Sequence, residues 1–476
     1  MTVGRIALSL AIAGALAACG SDGGGTPTSG TPAPTPSPTP TACSLADRQS
    51  WVLQQLQTYY LFPDLLDTTV NAADYSSVQS YIDALVAPAR ALGRDRGFTY
   101  ITSIQEETDL INSGSSAGFG VRLGYDTVNS RVFVLEAFES APAYPKGIDR
   151  GTEILSVNGT STADLYASGG AQAFSDALGP SDPGVTRTLS IRQPDGTTST
   201  VSVTKEEYAL DPISDRYGAL VIDNNGTDVG YINLRTFIVA DAGPQLRTAI
   251  NGFRQQGVDE VILDFRYNGG GLVDVAELLG DLLGADKVGD VFSRTVFRDS
   301  LSNNNSTEPF ESQPEAIAAT KIALIGTAAT ASASELVGNA FIPYLGNNTA
   351  LIGSNTYGKP VGQIARDKTE CDDRLRVIAF RTVNAAGGGD YYTGLASVYP
   401  QTCAATDDVY APLGAPSEDS TGVALSFLRG AVCNAIGQGG AATASLDRRV
   451  RASQVEYQTI MPTEPSAAQY QIPGLF

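Results

Sequence analysis

Histidine is absent from all 476 residues of this chain. Without imidazole no Ser-His-Asp triad can form, so a serine nucleophile would need another base, and lysine is the obvious proton acceptor. Positive charge is scarce as well: 31 lysines and arginines face 51 acidic residues, a formal net charge of −20. Phosphate would be repelled across most of that surface, which argues against a nucleic-acid partner and reads as a solubility device. Past the first twenty residues no apolar run is long enough to span a bilayer. The glycine segment Leu263–Leu272 has neither the lysine-serine ending of a P-loop nor the spacing of a dinucleotide fingerprint, which discounts a nucleotide.

What is present implies several domains, because this length exceeds what one core normally serves. Residues 1–18 read as a secretory signal: Arg5, an apolar run from Ile6 to Leu16, then Ala17-Ala18 before Cys19. Leu16-Ala17-Ala18-Cys19 resembles the lipobox of bacterial lipoproteins, which implies that Cys19 is lipidated and becomes the new N-terminus. Several acyl chains would anchor the protein stably outside the cytoplasm, since each buried methylene contributes about 0.8 kcal/mol. Gly20 stands where an acidic residue is often linked to inner-membrane retention, which points to the outer membrane. After Cys19, residues up to 42 are nearly all Gly, Ser, Thr, Pro and Ala, a composition suited to a disordered spacer.

An oxidising compartment suggests that Cys43, Cys371, Cys403 and Cys433 form two disulfides, with three connectivities open. Cys371 and Cys403 flank what reads as two strands around Gly387-Gly388-Gly389, which favours that pair and leaves Cys43 with Cys433.

Residues 43–110 show helical periodicity. Val52, Leu56, Tyr59 and Tyr60 share one face, Ser44 and Asp47 suit a first turn, Pro63 ends the helix, and Val78, Ile82 and Leu85 repeat the pattern. Over 116–206 the pattern becomes short strands, as in Arg131–Leu135 and Leu189–Arg192, with Pro194-Asp195-Gly196 as a hairpin turn. Three separated segments there, Gly118-Phe119-Gly120-Val121, Ser140-Ala141-Pro142-Ala143 and Gly151–Gly159, resemble a bacterial PDZ domain. The resemblance implies that the amides of Gly118, Phe119, Gly120 and Val121 receive a peptide's terminal carboxylate while a strand edge pairs with its backbone. Over 207–436 apolar strands alternate with amphipathic helices, as in an α/β layer. A C-terminal extension, 437–476, ends in the apolar Gln471–Phe476. Three fates are open to that tail: filling the PDZ-like groove, being trimmed if the chain proves to cut peptides, or docking on the body.

Three segments of the α/β region carry chemistry. Ser332 lies between the strand 322–327 and a helical pattern from Ser334, where a helix N-terminus favours developing negative charge. Ser332-x-x-Glu335 is equally an ordinary capping box. Lys359 follows the strand Ala350–Gly353 on the turn Thr356-Tyr357-Gly358; as a base it must be neutral, which needs desolvation or a nearby positive field. The consecutive glycines 269–271 allow backbone amides to approach a reacting carbonyl.

Together, from about 43 to 435, these features resemble the C-terminal processing (tail-specific) serine peptidases, a multidomain α/β fold with a small helical domain, a PDZ-like β-rich domain and a protease core with a mixed sheet. The resemblance implies a serine endopeptidase acting through an acyl-enzyme, with no metal or organic cofactor, on protein or peptide tails. Ser332 would be the nucleophile, Lys359 the base, Gln363 the partner orienting it, and Glu335 a supporting carboxylate. The amides of Gly270 and Ala333 would form the oxyanion hole. Gly269 replaces a frequent proline, Pro360 a frequent glycine, and the interval from Ser332 to Lys359 is two residues longer than usual. Counting from Ser334 restores that interval; Ser332 is preferred because Ser-Ala-Ser-Glu matches residue by residue and a longer turn at Leu345–Thr349 is readily tolerated. The alternatives are an inactive peptide-binding scaffold of the same fold and, more remotely, an esterase using the same pair.

Overall fold

Alternation along three adjacent parallel strands builds the centre of the molecule. In Val261-Ile262-Leu263, Ile322-Ala323-Leu324-Ile325 and Ala350-Leu351-Ile352 every residue is buried, but odd and even positions enter different cores, one on each face of the sheet. Strands buried on both faces need helices on both sides, and the connections supply them. The computed structural model describes residues 43–437, 457–462 and 464–476. The expectations for the signal peptide, Cys19 and the spacer to residue 42, and for most of the connection 438–456, lie outside these residues.

The central sheet has six strands in the order Ala219–Asp223, Asp228–Asn233, Glu260–Asp264, Lys321–Gly326, Thr349–Gly353 and Thr402–Ala404. The first pair is antiparallel and the others are parallel, so the sheet is mixed, as expected. Helices Ala242–Gln256, Val273–Leu283 and Ala333–Leu345 cover one face and Asp419–Leu428 the other. The loops leaving Asp264, Gly326 and Gly353 all depart from the same end of adjacent parallel strands, which brings the three chemical segments together.

Helix Leu45–Tyr59 starts as its sequence predicts: Ser44 accepts the Asp47 amide at 3.2 Å, and Val52 and Leu56 are buried. Helix Val78–Leu85 is capped by Ser77 and buries Val78, Tyr81, Ile82 and Leu85. These faces share a core with Val361, Leu375, Val377 and Ile378 from strands Val361–Lys368 and Asp373–Val383. Strand Tyr100–Ser103 pairs directly with Asp373–Val383, so the helical segment and the C-terminal half of the chain fold as one layer.

The β-rich region is an antiparallel array of Val121–Asp126, Arg131–Ala137, Glu153–Val157, Thr186–Arg192 and Thr198–Thr204. Helix Thr162–Leu178 packs Phe174 and Leu178 against its apolar side. The hairpin at Pro194-Asp195-Gly196 forms where expected, with Gly196 at φ 87°.

The disulfide pairing differs from the expected one. Cys43 bonds Cys371, with Cα atoms 5.4 Å apart, and Cys403 bonds Cys433, at 4.8 Å. The expectation treated the strands after Cys371 as a local hairpin that would return to Cys403. Instead Asp373–Val383 runs under the N-terminal helices, carrying Cys371 to Cys43, while Cys403 sits on the central sheet beside the segment after Asp419–Leu428. Removing the long-range bridge by Cys43→Ala with Cys371→Ala is expected to lower stability by about 2–5 kcal/mol in a denaturant titration, because the bridge closes a very long loop. An unchanged midpoint would mean that packing alone secures the helix.

Candidate active site

Ser332 stands at the last turn before helix Ala333–Leu345, with φ 56° and ψ −115°, a conformation that a non-glycine residue adopts only when its surroundings impose it. The surroundings do so. Thr330 Oγ1 donates to the Phe265 carbonyl at 2.7 Å, the Ala331 amide to the Asn268 carbonyl at 3.0 Å, and the Ser332 amide to Glu335 Oε2 at 3.0 Å. Ser332 itself is partly exposed. Ser334, by contrast, is fully buried and its hydroxyl donates to the Asn268 carbonyl at 3.0 Å. That hydroxyl is a strut between the helix and the glycine loop.

The glycine loop lies directly against Ser332. A Cβ on Gly270, whose φ is 109°, would sit 2.7 Å from Ser332 Cβ and 3.0 Å from the Ala333 nitrogen, so only glycine fits. Both expected oxyanion-hole residues are therefore adjacent, but they are not equivalent. The Gly270 amide donates to Asn268 Oδ1 at 2.9 Å, whereas no acceptor among the described residues takes the Ala333 amide at the helix N-terminus.

The lysine segment is tied to the serine segment through Glu335. This fully buried carboxylate accepts from Thr356 Oγ1 at 2.6 Å and from the Gly358 amide at 2.7 Å on one oxygen, and from the Ser332 and Lys359 amides at 3.0 and 2.7 Å on the other. Burial pushes its carboxyl above the usual range, and the four donors oppose that shift. Gly358, at φ 88°, is hemmed in by the backbone of Tyr392 and Gly394, and Arg96 donates to its carbonyl at 3.1 Å.

The Lys359 amine donates to Gln363 Oε1 at 2.9 Å and lies 5.1 Å from the centre of the Phe98 ring. Gln363 in turn donates its amide to the Phe98 carbonyl. Burial lowers the amine to about 8, against the nearby negative charges of Asp95 and Glu335. No hydrogen bond joins the amine to Ser332 Oγ; the two residues meet through their backbones on Glu335, and the side chain points to Gln363. Sequence reasoning missed Asp95, Arg96 and Phe98, which arrive from 260 residues upstream. Asp95 anchors this corner by accepting the Phe98 and Thr99 amides at 2.8 and 3.2 Å and the Tyr60 hydroxyl at 3.0 Å.

Gly118–Val121 lead into strand Val121–Asp126 of the β-rich region. The Gly120 and Val121 amides donate to the main-chain oxygen of Phe476 at 2.9 and 3.2 Å. Among the described residues no cluster of Asp, Glu, His or Cys is placed to hold a metal.

Residues 228–389, which carry Ser332, Glu335, Lys359, Gln363 and the glycine loop, match the model of peptidase family S41. Over that segment, about a third of the chain, the sequence is similar to peptidase family S41. A carboxyl-terminal-processing protease of Picosynechococcus is 30% identical over 257 residues, 52% of this chain and 55% of that protein. The chloroplastic carboxyl-terminal-processing peptidase 2 of Arabidopsis thaliana is 30% identical over 254 residues, 52% of this chain and 46% of that one. The chain thus spans about half the length of these curated relatives. A crystal structure from Bacteroides fragilis, assigned to the S41 proteases, superimposes with a TM-score of 0.60 at 24% identity, covering 80% of this chain and 97% of its own. The expected multidomain α/β architecture is thus the fold found in an S41 structure.

Within the matched segment, Glu335→Ala strands three backbone amides and a hydroxyl. Each buried polar group left unpaired costs about 1–3 kcal/mol, so the variant should lose at least about 3 kcal/mol in chemical denaturation. A loss under 1 kcal/mol would show that water replaces the carboxylate.

Proposed function

We propose that this chain is a serine endopeptidase that cleaves protein or peptide chains through an acyl-enzyme, with Ser332 as nucleophile and Lys359 as base. The observation that carries the reading is the shared Glu335 oxygen, which holds the Ser332 and Lys359 amides on one acceptor while burial keeps the lysine amine near neutrality. A neutral amine donating one hydrogen to Gln363 keeps its lone pair free. Rotation of the lysine side chain toward Ser332 then lets that lone pair take the hydroxyl proton as Oγ attacks the substrate carbonyl carbon. Negative charge developing on the carbonyl oxygen falls beside the open Ala333 amide and the positive end of its helix. The Gly270 amide joins it only if the bond to Asn268 opens. Collapse expels the amine, which takes the proton from Lys359, and water releases the acyl group by the reverse route.

The wider reading is a lipid-anchored enzyme at the outer membrane, held through Cys19 and a spacer, whose PDZ-like region selects apolar tails. The two disulfides support an oxidising compartment. The antiparallel array, in which the Gly120 and Val121 amides at the head of strand Val121–Asp126 donate to a main-chain oxygen of the Phe476 tail, supports tail capture.

Hydrolysis of an unstructured protein with an apolar tail tests the roles. Ser332→Ala and Lys359→Ala should each reduce kcat/KM by about a thousandfold or more. Ser334→Ala should stay within a few-fold while losing about 1 kcal/mol of stability. Full activity in Lys359→Ala would refute the assignment. The active form needs the deprotonated amine, so kcat/KM should rise about tenfold per pH unit below the lysine's midpoint near pH 8 and level off above it. A flat profile from pH 6 to 9 would exclude this base.

A further inference from the structure

The edge of strand Val121–Asp126 is already filled, by the chain's own C-terminal extension. Tyr457–Thr459 pairs antiparallel with 124–126. Farther along, Leu475 bridges Arg122, the Leu123 amide donates to the Gly474 carbonyl at 2.8 Å, and the Phe476 amide donates to the Val121 carbonyl at 2.9 Å. The Phe476 main-chain oxygen takes both the Gly120 and Val121 amides. A Cβ on Gly118 would fall 2.9 Å from the Phe476 carbonyl carbon, so this glycine allows the close approach. The Phe476 side chain, 2% exposed, enters the core formed by Phe119, Val121, Leu123 and Phe174.

The same segment reaches the reactive centre. A Cβ on Gly269 would lie 2.7 Å from the Gln471 carbonyl oxygen and 2.8 Å from Pro473 Cδ. The next residue, Gly270, is the one packed against Ser332. Six residues therefore bridge from the edge strand to the loop beside the nucleophile, and a peptide entering by strand addition would need the same hydrogen bonds.

We propose that Gln471–Phe476 is an intramolecular ligand of this groove, which a substrate tail must displace, and that the groove accepts peptides ending in an aliphatic residue followed by an aromatic one. This rests on the peptidase reading only for its consequence, that displacement uncovers the approach to Ser332. A tethered ligand acts at an effective concentration in the millimolar range, so the intact chain binds a free peptide weakly.

The test uses the full chain carrying Ser332→Ala, with and without Phe476→Asp, and a fluorescent peptide Gln-Ile-Pro-Gly-Leu-Phe with a free carboxylate, read by polarisation. The expected result is affinity at least tenfold higher in the Phe476→Asp chain; equal affinities would overturn the proposal. Should Phe476→Asp fail to fold, hydrogen exchange on the Ser332→Ala chain gives the answer. Millimolar peptide should speed exchange at the Gly474 to Phe476 amides while Gly120 and Val121 stay protected, and no acceleration would overturn it. Neither readout needs catalysis. Hydrolysis surviving in Ser332→Ala would remove the peptidase reading and leave the groove assignment intact, whereas failed competition would do the opposite.

Discussion

One buried carboxylate organises this site. Glu335 has no salt-bridge partner among the described residues, yet it accepts four hydrogen bonds from two segments of chain, two of them from the backbones of Ser332 and Lys359. Breaking any of them would leave a polar group unsatisfied in a dry interior. That penalty is what keeps a strained serine and a lysine turn in register although 26 residues separate them in sequence.

Buried arginines hold the glycine loop from the other side. Arg266 is fully buried among Asp264, Asp407 and Glu418, and Arg150 joins the cluster through Asp407 and the Tyr267 hydroxyl. Arg122, on the edge strand, donates to the Tyr267 carbonyl and faces Glu136, which also pairs with Arg235. Removing one partner of such a pair strands the other charge, typically a loss of about 3–5 kcal/mol. The strand that the chain's own tail occupies is thus joined to the loop that packs on Ser332.

Much of the scaffold was legible because it follows from local pattern. The continuously apolar strands, the capped helix after Ser44 and the hairpin at Asp195-Gly196 each declare themselves within a dozen residues. The disulfide partners did not, since pairing Cys43 with Cys371 depends on Asp373–Val383 crossing beneath the N-terminal helices. Asp95 and Phe98 were missed for the same reason: their own segment gives no sign that it will cage a lysine on a turn far downstream.

The absence of histidine, read from the amino-acid order alone, restricted the base to another side chain, and the Ser-Ala-Ser-Glu and Tyr-Gly-Lys segments named the candidates. Residue types set intrinsic chemistry, so that much needs no coordinates. Only the folded molecule decided that Ser334 is a strut, that Glu335 joins the two reactive backbones, that the Gly270 amide is engaged, and that the tail lies along the edge strand. Those outcomes depend on which donors and acceptors distant segments bring within hydrogen-bonding distance and away from water, a property of packing rather than of any local pattern.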